Sequence, residues 1–276
     1  MKPSAVTRIE KAIAFKALHE REGAFVIPNP WDVGSARLLA GLGFEALATT
    51  SAGFANAIGR ADGEVSIDEA IEHCRVLSAS TDLPINADLE NCFAHEPAKA
   101  AETILRAAAA GVVGGSIEDH TGDPSDPIYD FDLAVERVYA AAEAARSVGF
   151  PFMLTARAEN LLHGIDDLDD TIRRLQAFEA AGADVLYAPG IKTLDDVRLV
   201  TSSLGKPVNV LAPFIKNVTL DELASAGAKR ISLGGALARA AFTALIRAGR
   251  EMQNTGTFGW RTIWRQAETF TNFWAD

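Results

Sequence analysis

The chain has 276 residues, with 26 Lys and Arg against 37 Asp and Glu, so its formal net charge is −11. This acidic balance argues against a nucleic-acid or anionic-membrane partner, because phosphate-bearing surfaces are bound by basic ones. No apolar run approaches the roughly 20 residues of a spanning helix, and the N-terminal segment has no apolar signal sequence. The two cysteines, Cys74 and Cys92, are too few for a disulfide scaffold. We therefore expect a soluble, cytoplasmic protein.

Short apolar segments alternate with Ala-, Leu-, Glu- and Arg-rich segments along the chain. The predicted strands are Phe25–Asn29, Ala46–Ser51, Pro84–Glu90, Gly114–Asp119, Phe152–Glu159, Asp184–Pro189, Pro207–Ala212 and Arg230–Gly234. Between them, apolar residues recur at helical spacing, as in Val135, Val138 and Ala142. Because near-continuous apolar strands are typical of a parallel sheet covered by helices, the eight units predict an α/β fold, a closed (β/α)₈ TIM barrel. An open doubly wound sheet is the alternative, although no Gly-x-Gly-x-x-Gly motif follows the first strand.

A glycine marks the end of several predicted helices. The sequences at 40–44, 110–113, 181–184 and 226–229 each place a glycine where a helix ends and the next strand begins. This position favours glycine because the chain adopts a left-handed conformation there. No linker rich in Pro, Gly or Ser divides the chain. We therefore expect a single barrel domain over residues 1–276, with residues 257–276 as a C-terminal helical extension.

The extension carries too much apolar surface for a free tail. Its large apolar residues are Phe258, Trp260, Ile263, Trp264, Phe270, Phe273 and Trp274. Such a surface is expected to pack, either on its own barrel or on a neighbouring subunit.

Polar residues cluster after the predicted strands, where the chemistry of a barrel takes place. Taken singly, an acid at a strand end is more often a helix N-cap or part of a loop ion pair. However, Asp62, Asp88 and Glu118 follow three successive strands and are expected to converge on one mouth. Three carboxylates repel one another unless a cation lies among them, and all-oxygen ligands favour Mg²⁺ or Mn²⁺. Arg157, at the end of the fifth strand, suits an anionic substrate.

Several stretches, in this order, resemble the isocitrate lyase/phosphoenolpyruvate mutase superfamily. They are Asn86–Asn91, Ser116–Asp119, Thr155–Glu159 and Pro207–Leu211, within a similarity that runs from Pro28 to Arg239. The resemblance implies a Mg²⁺-dependent enzyme that binds a 2-oxo acid and stabilises its enolate while a C–C or C–P bond is broken or made. It also implies a homo-oligomer, a tetramer built as a dimer of dimers, in which the C-terminal helices are exchanged between subunits.

The resemblance also assigns residues. Asp88 resembles the metal-binding aspartate, and Asp62 and Glu118 resemble acids that hold water molecules around the metal. The turn Ser51–Ala52–Gly53 resembles the loop that binds the substrate carboxylate and oxyanion through its backbone amides and hydroxyl. Arg157 resembles the arginine that contacts the substrate and its developing negative charge, so that Arg157, Asp62 and Glu118 form the expected catalytic set. Trp31 and Asn209 resemble residues that line the substrate pocket, although core packing and buried backbone could equally explain them.

The sequence departs from the superfamily in two places. The isocitrate and methylisocitrate lyases have a Lys-(Lys/Arg)-Cys-Gly-His motif after the fourth strand, where this chain has a loop, 120–130, without cysteine. We therefore place it in a phosphonomutase-like branch that lacks the lyase cysteine, and we expect Cys74 and Cys92 to be ordinary thiols. The second departure is Asn86, where many members have a second aspartate, which leaves the metal site with less negative charge.

The loop 120–130 is either a plain solvent loop or a gate that closes over the substrate. His120 and Tyr129 in this loop, and His163 after the fifth strand, are candidate acids or bases, each with an alternative structural role.

Three functions are compatible with these residues. The leading hypothesis is a Mg²⁺-dependent lyase that cleaves or decarboxylates a 2-oxo acid through an enolate. The first alternative is a C–P enzyme, a phosphonopyruvate mutase or hydrolase or a carboxyphosphonoenolpyruvate mutase. The second alternative is a protein that binds a 2-oxo acid without catalysis. The loop 120–130 contains no Lys or Arg for phosphoryl handling, which favours C–C chemistry.

Overall fold

The computed structural model describes residues 6–261 and residue 273. Its strands are β1 (Phe25–Ile27), β2 (Leu47–Ala48), β3 (Ile85–Ala87), β4 (Gly114–Glu118), β5 (Met153–Arg157), β6 (Val185–Tyr187), β7 (Val208–Leu211) and β8 (Arg230–Ser232). Its helices are α1 (Arg8–Glu20), α2 (Val33–Gly41), α3 (Ser51–Ala57), α4 (Ile67–Ser80), α5 (Pro97–Ala109), α6 (Phe131–Ser147), α7 (Leu168–Ala180), α8 (Leu194–Ser202), α9 (Leu220–Ser225) and α10 (Ala236–Thr255). A short 3₁₀ turn, Ala212–Phe214, follows β7.

The strands form one parallel sheet that closes on itself into a barrel. Their order is β1-β8-β7-β6-β5-β4-β3-β2, so the first strand lies beside the last. The remaining gap is bridged by a backbone hydrogen bond of 3.0 Å from the amide of Ala48, in β2, to the carbonyl of Pro28, just after β1. The predicted (β/α)₈ TIM barrel is confirmed.

Each observed strand lies inside its predicted segment but is shorter, mainly at its carboxyl end. The predicted third strand runs to Glu90, for example, whereas β3 ends at Ala87. Several residues just beyond the ladder are polar and line the barrel mouth, among them Asn29, Asp88 and Glu159. The glycine prediction is also confirmed, because Gly43, Gly111, Gly182 and Gly227 have φ angles between 89° and 107°. Only glycine adopts such angles without strain.

Helix α1 closes the amino-terminal end of the barrel. Its Phe15 and Leu18 are buried in one apolar cluster with Phe25, Met153 and Val185, which begin or precede the strands. A larger cluster fills the space between the sheet and the surrounding helices. Because one end of the barrel is sealed by apolar packing, a ligand can enter only from the carboxyl ends of the strands.

The C-terminal extension is described only in part. Phe258 and Trp260 are exposed at the surface, and the ring of Phe273 lies against Gly41 of α2. Ile263, Trp264, Phe270 and Trp274 lie outside the described residues. Exchange of this segment between subunits, and the tetramer, therefore stay predictions. In the described part of the chain, no helix is long and apolar enough to cross a membrane.

A substitution at Gly114 tests the packing that closes the amino-terminal end of the barrel, called here the barrel floor. A Cβ atom there would lie 2.9 Å from the Met153 carbonyl oxygen and 2.9 Å from the Phe15 ring. We predict that Gly114→Ala lowers the free energy of unfolding by about 1–3 kcal/mol, the usual cost of overpacking. Chemical denaturation measures it.

The matched control is Gly249→Ala in α10, where a Cβ atom meets no neighbour within 4 Å. This change should leave stability equal or raise it by up to about 1 kcal/mol, because alanine favours helix. Equal stabilities of the two variants would contradict the described packing of the floor.

Candidate active site

A cavity of about 380 Å³ opens at the carboxyl ends of the strands. Its polar lining comes from nearly every strand and includes Asn29, Thr49, Thr50, Ser51, Asp62, Asn86, Asp88, Glu90, Ser116, Glu118, His120, Thr155, Arg157, Glu159, His163, Tyr187, Asn209, Arg230 and Ser232. The predicted convergence of Asp62, Asp88 and Glu118 on one mouth is thus observed. The cavity is the candidate active site.

Asp88, directly after β3, is fixed by several neighbouring elements. Its Oδ2 accepts a hydrogen bond from the Ser51 amide, 3.0 Å away, at the start of α3. Its Oδ1 accepts one from Arg157 Nη1 at 3.2 Å and one from the Ser116 hydroxyl at 3.4 Å. Its own amide donates to Thr49 Oγ1 at 2.7 Å. Since a carboxylate has about four lone-pair positions, Asp88 still has capacity for one more partner.

Arg157 is the cation around which the acids gather. Besides Asp88, its Nη1 lies 2.7 Å from Glu118 Oε1, and its Nε donates to Glu159 Oε1 at 2.6 Å. The parallel pairing of β4 with β5 places Glu118 directly beside Arg157. All four side chains are largely or fully buried. Salt bridges in such an environment are strong only while each charge keeps its partner.

The cavity holds more acid than one arginine can neutralise. Burial raises the pKa of Glu118 and of Glu159, against the opposing effect of Arg157. Burial and the Asp88 charge raise the pKa of Glu90 to about 7. Partial desolvation also raises the pKa of Asp62, at the rim. A further cation in this cavity would lower these pKa values and stabilise the ionised acids.

The turn Ser51–Gly53 begins α3, and its three residues have two different roles. Ser51 and Ala52 line the cavity, and the Ser51 side chain opposes the rise that burial causes in the pKa of Asp62. Gly53 lies outside the lining, and its amide donates to Thr50 Oγ1, the N-cap of α3. A Cβ atom on Gly53 would lie 2.5 Å from the Thr50 methyl and 3.3 Å from Ala238 Cβ, so this position needs glycine for packing.

The two predicted pocket residues differ in position. Asn209 lies in the cavity wall, buried within β7. Trp31 is not among the cavity-lining residues in the described part of the chain. Its indole lies 6.3 Å from the Phe242 ring of α10, and its carbonyl oxygen bonds to His73 Nε2 at 3.0 Å. A substrate contact by Trp31 stays a prediction.

The three candidate acids and bases lie in different places. His120 and His163 line the cavity and stack on each other, with ring centroids 3.9 Å apart. Desolvation, with Arg157 nearby, lowers the pKa of both imidazoles. Tyr129 instead points away from the cavity. Its hydroxyl lies 2.6 Å from His95 Nδ1 and its ring is covered by the Arg137 guanidinium, so it anchors the loop 120–130.

Both cysteines are buried and free. Burial raises the pKa of each thiol to about 12, which leaves neither ready to react as a thiolate. The expectation of ordinary thiols agrees with this environment.

The acidic side of the cavity fits a hard divalent cation bound partly through water. Among the described residues, no three His, Cys, Asp or Glu side chains are close enough to hold a metal ion by themselves. Mg²⁺, however, commonly uses one or two carboxylates and completes its shell with water and substrate oxygens. Asp88, with its one remaining lone-pair position, fits the role of direct ligand, and Asp62 and Glu118 fit the role of partners to water molecules around the metal.

Sequence reasoning missed several lining residues. Glu90 and Glu159 stand two positions after Asp88 and Arg157, and Glu90 enters the cavity through a left-handed backbone with φ 51°. The sequence pattern identifies Tyr187, Arg230 and Ser232 only as members of predicted strands. The polar pair Arg230 and Ser232, two positions apart, was an available signal because alternate strand residues share one face.

Comparison with known proteins gives the class of this barrel. Residues 15–253 match the family model described as phosphoenolpyruvate phosphomutase. The chain therefore belongs to this family, within the isocitrate lyase/phosphoenolpyruvate mutase superfamily.

Curated relatives include C–C bond-breaking enzymes. The chain is 28% identical over 231 residues to 2-methylisocitrate lyase from Shewanella oneidensis, covering 78% of this chain and 75% of the relative. It is 26% identical over 202 residues to oxaloacetate decarboxylase from Ectopseudomonas mendocina, covering 71% and 68%.

Solved structures agree in fold. A Burkholderia cenocepacia protein described as a lyase/mutase is 53% identical, with a TM-score of 0.93 and coverage of 98% and 97%. 2,3-Dimethylmalate lyase is 26% identical, with a TM-score of 0.80 and coverage of 93% and 90%. A phosphonopyruvate hydrolase bound to oxalate and Mg²⁺ shares the fold at 20% identity, with a TM-score of 0.83 and coverage of 95% and 93%.

The buried ion pairs predict the effect of removing Arg157. In Arg157→Met, measured with chelator present, Glu118 and Glu159 lose their cation, and their pKa values rise further. The two glutamates then stay protonated to a higher pH in the folded state than in the unfolded chain, where they ionise above about pH 4.3. The free energy of unfolding therefore falls as the pH rises above that value. We predict a loss of about 3–5 kcal/mol at pH 8, and a smaller loss at pH 5. Denaturation at both pH values measures it.

The control is Arg75→Met, which breaks the exposed pair with Glu72. Its stability should change by no more than about 1 kcal/mol at either pH. A pH-independent loss in Arg157→Met would contradict the described environment of the two glutamates.

Proposed function

We propose that this protein is a Mg²⁺-dependent lyase that breaks a C–C bond of a 2-oxo acid, by cleavage or decarboxylation, through an enolate. One observation carries the proposal: Asp88 is held between the Ser51 amide and Arg157 in a cavity with surplus acid at the barrel mouth. That arrangement supplies a metal ligand, an anion-binding cation and hydrogen-bond donors around one small volume.

Asp88 would hold the metal directly, and Asp62 and Glu118 would hold water around it. Mn²⁺ could take the same place, because both ions prefer oxygen ligands. When bound, the divalent ion polarises the 2-oxo and carboxylate oxygens of the substrate and lowers the energy of the enolate. The raised pKa values of Asp62, Glu90 and Glu118 support a cation at this side of the cavity.

The chain's own residues supply the remaining electrostatics. Arg157 is locked by Glu118 and Glu159, so its position is fixed before the substrate arrives. A fixed cation stabilises developing negative charge without the cost of reorganisation. The Ala52 amide and the Ser51 hydroxyl would orient the substrate carboxylate. His120 and His163, at the cavity surface, are placed to exchange a proton with the departing group.

The charge of the lining favours C–C over C–P chemistry. Among the described lining residues, the lysines and arginines number two, Arg157 and Arg230, and the latter is buried in the wall. The loop 120–130 adds His120 but no Lys or Arg. Phosphoryl transfer ordinarily uses several cationic groups on the transferring oxygens. The lyase and decarboxylase relatives support the same choice.

The proposal predicts Mg²⁺-dependent product formation from a panel of 2-oxo acids that includes oxaloacetate and larger C–C substrates, with phosphonopyruvate as the C–P member. Asp88→Asn should lower turnover by at least about 10²-fold, as expected when a group that stabilises the transition state is removed. Chelator should abolish turnover in the wild type, and added Mg²⁺ should restore it. Pyruvate or phosphate release measures the reaction.

The matched control is Asp195→Asn, an exposed acid in α8, which should keep wild-type turnover. Conversion of phosphonopyruvate alone would move the protein to the C–P branch. Metal-dependent binding without turnover of any compound would instead make it a 2-oxo acid binding protein and overturn the lyase proposal.

A further inference from the structure

The loop after β3 carries an acid into the cavity along a strained backbone. Glu90 and the following pair, Cys92 and Phe93, have φ angles between 51° and 59°. Residues with a Cβ atom rarely adopt this left-handed conformation, because the Cβ atom comes too close to the next carbonyl oxygen. Glu90 nevertheless lines the cavity together with Asp88. Such strain persists only where the surrounding structure holds the backbone in place.

A buried arginine on α6 holds this loop. Arg137 is 1% exposed. Its Nη2 donates to the Asn91 carbonyl oxygen at 2.6 Å, and its Nη1 donates to the carbonyl oxygens of Ala94 and His95, the latter at 2.9 Å. These carbonyl groups precede and follow the left-handed pair, and the first belongs to the residue directly after Glu90. The guanidinium thus binds the loop on both sides of its strained part.

No other role accounts for the burial of Arg137. In the described part of the chain its hydrogen-bond acceptors are all backbone carbonyl groups, and its guanidinium carbon lies 4.2 Å from the centre of the Tyr129 ring. A buried cation without a carboxylate partner is costly. A guanidinium, however, has five donors in a planar fork, so it can bind several carbonyl groups that a lysine cannot bind together.

The Glu90 carboxyl group has no such partner. The backbone of Glu90 is fixed, because its carbonyl oxygen accepts a hydrogen bond from the Glu118 amide at 3.0 Å. Its side chain has no hydrogen-bond or salt-bridge partner in the described part of the chain. The cavity lining beside it includes Asp62 and Asp88. Acids that share one small volume repel one another, and a divalent cation among them removes the repulsion.

We propose that Arg137 is a positioning residue that holds the loop after β3 in its left-handed conformation, so that the Glu90 carboxyl group stays in the cavity and attracts the divalent cation bound at Asp88. The proposal rests on the proposed function, because it takes this cation to bind there. It adds Glu90 to the acids on the metal side of the cavity. It also gives a function to Arg137, which is not among the described lining residues.

Binding of Mn²⁺ alone to the intact protein tests the proposal, and the electron paramagnetic resonance signal of free Mn²⁺ measures it. Glu90→Gln removes the charge with little change of shape. It should weaken Mn²⁺ binding about tenfold, as expected for a group around the ligands of a metal. The matched control is Asp195→Asn, an exposed acid in α8, which should keep wild-type affinity. Wild-type affinity in Glu90→Gln would overturn the proposal.

Arg137→Lys keeps the positive charge but loses the fork of donors. It should weaken Mn²⁺ binding about threefold or more, a coupling expected within one hydrogen-bonded network. In a Glu90→Gln background the same change should alter Mn²⁺ affinity by less than about twofold, because no carboxylate is left to misplace. An equal loss in both backgrounds would overturn the proposal. The control Arg146→Lys, on the exposed face of α6, should keep wild-type affinity.

A purely structural role for Arg137 predicts a different result. Arg137→Lys would then unfold at a lower temperature but bind Mn²⁺ with wild-type affinity, and this outcome overturns the proposal. If Arg137→Lys does not fold, Arg137→Gln replaces it, because glutamine buries no charge and still offers donors. Loss of the cation would by itself raise Mn²⁺ affinity. A lower affinity in Arg137→Gln therefore supports positioning, and an equal or higher affinity overturns it.

The failure of this proposal can be distinguished from the failure of the proposed function. If the wild-type protein does not bind Mn²⁺, or if Asp88→Asn binds it equally well, the proposed metal site fails and this proposal with it. Mn²⁺ binding that is lost in Asp88→Asn but unchanged in Glu90→Gln overturns this proposal alone.

Discussion

One guanidinium shared by three carboxylates is the constraint on which the site depends. Arg157 contacts Asp88, Glu118 and Glu159, which arise from the ends of β3, β4 and β5 or the residues after them. Such a cluster is stable only when the strands hold the four groups within hydrogen-bond distance, since a buried charge without its partner costs several kcal/mol. The closed parallel barrel supplies that rigidity. The remaining lone-pair position of Asp88, with the surplus acids Asp62 and Glu90 nearby, would then be available to a metal cation.

The cavity has two chemically different halves. The side formed by the segments after β2 and β3 and by the end of β4 carries Asp62, Asp88 and Glu118 and suits a divalent ion. The side formed by β6, β7 and β8 carries Tyr187, Asn209 and Ser232, and Arg230 within it sets the direction of the hydrogen bond from Asn209 to Ser232. A substrate with several oxygens would span both halves, with Arg157 between them. This asymmetry would give a small, flexible acid one preferred orientation, and orientation accounts for much of the rate of enzymatic reactions.

The fold could be predicted because its signals are local. Apolar runs, helical spacing and glycines with left-handed angles recur in each unit, and eight units leave few alternatives to a barrel. The acids at the mouth were predictable for the same reason, because the carboxyl ends of parallel strands share one edge. Tyr187 was not, since its place in the cavity lining depends on which side chains meet across the barrel. Gly53 shows the reverse case: its position in the turn suggested ligand binding, whereas its neighbours show a packing requirement.

The position of the divalent ion is the central claim, and anomalous X-ray scattering from crystals soaked in Mn²⁺ and oxalate tests it most directly. The account predicts one manganese peak beside the Asp88 carboxylate, with oxalate oxygens completing the coordination and with water between the metal and Asp62 or Glu118. The absence of a peak at Asp88, with its carboxylate still held only by Ser51, Ser116 and Arg157, would contradict the account.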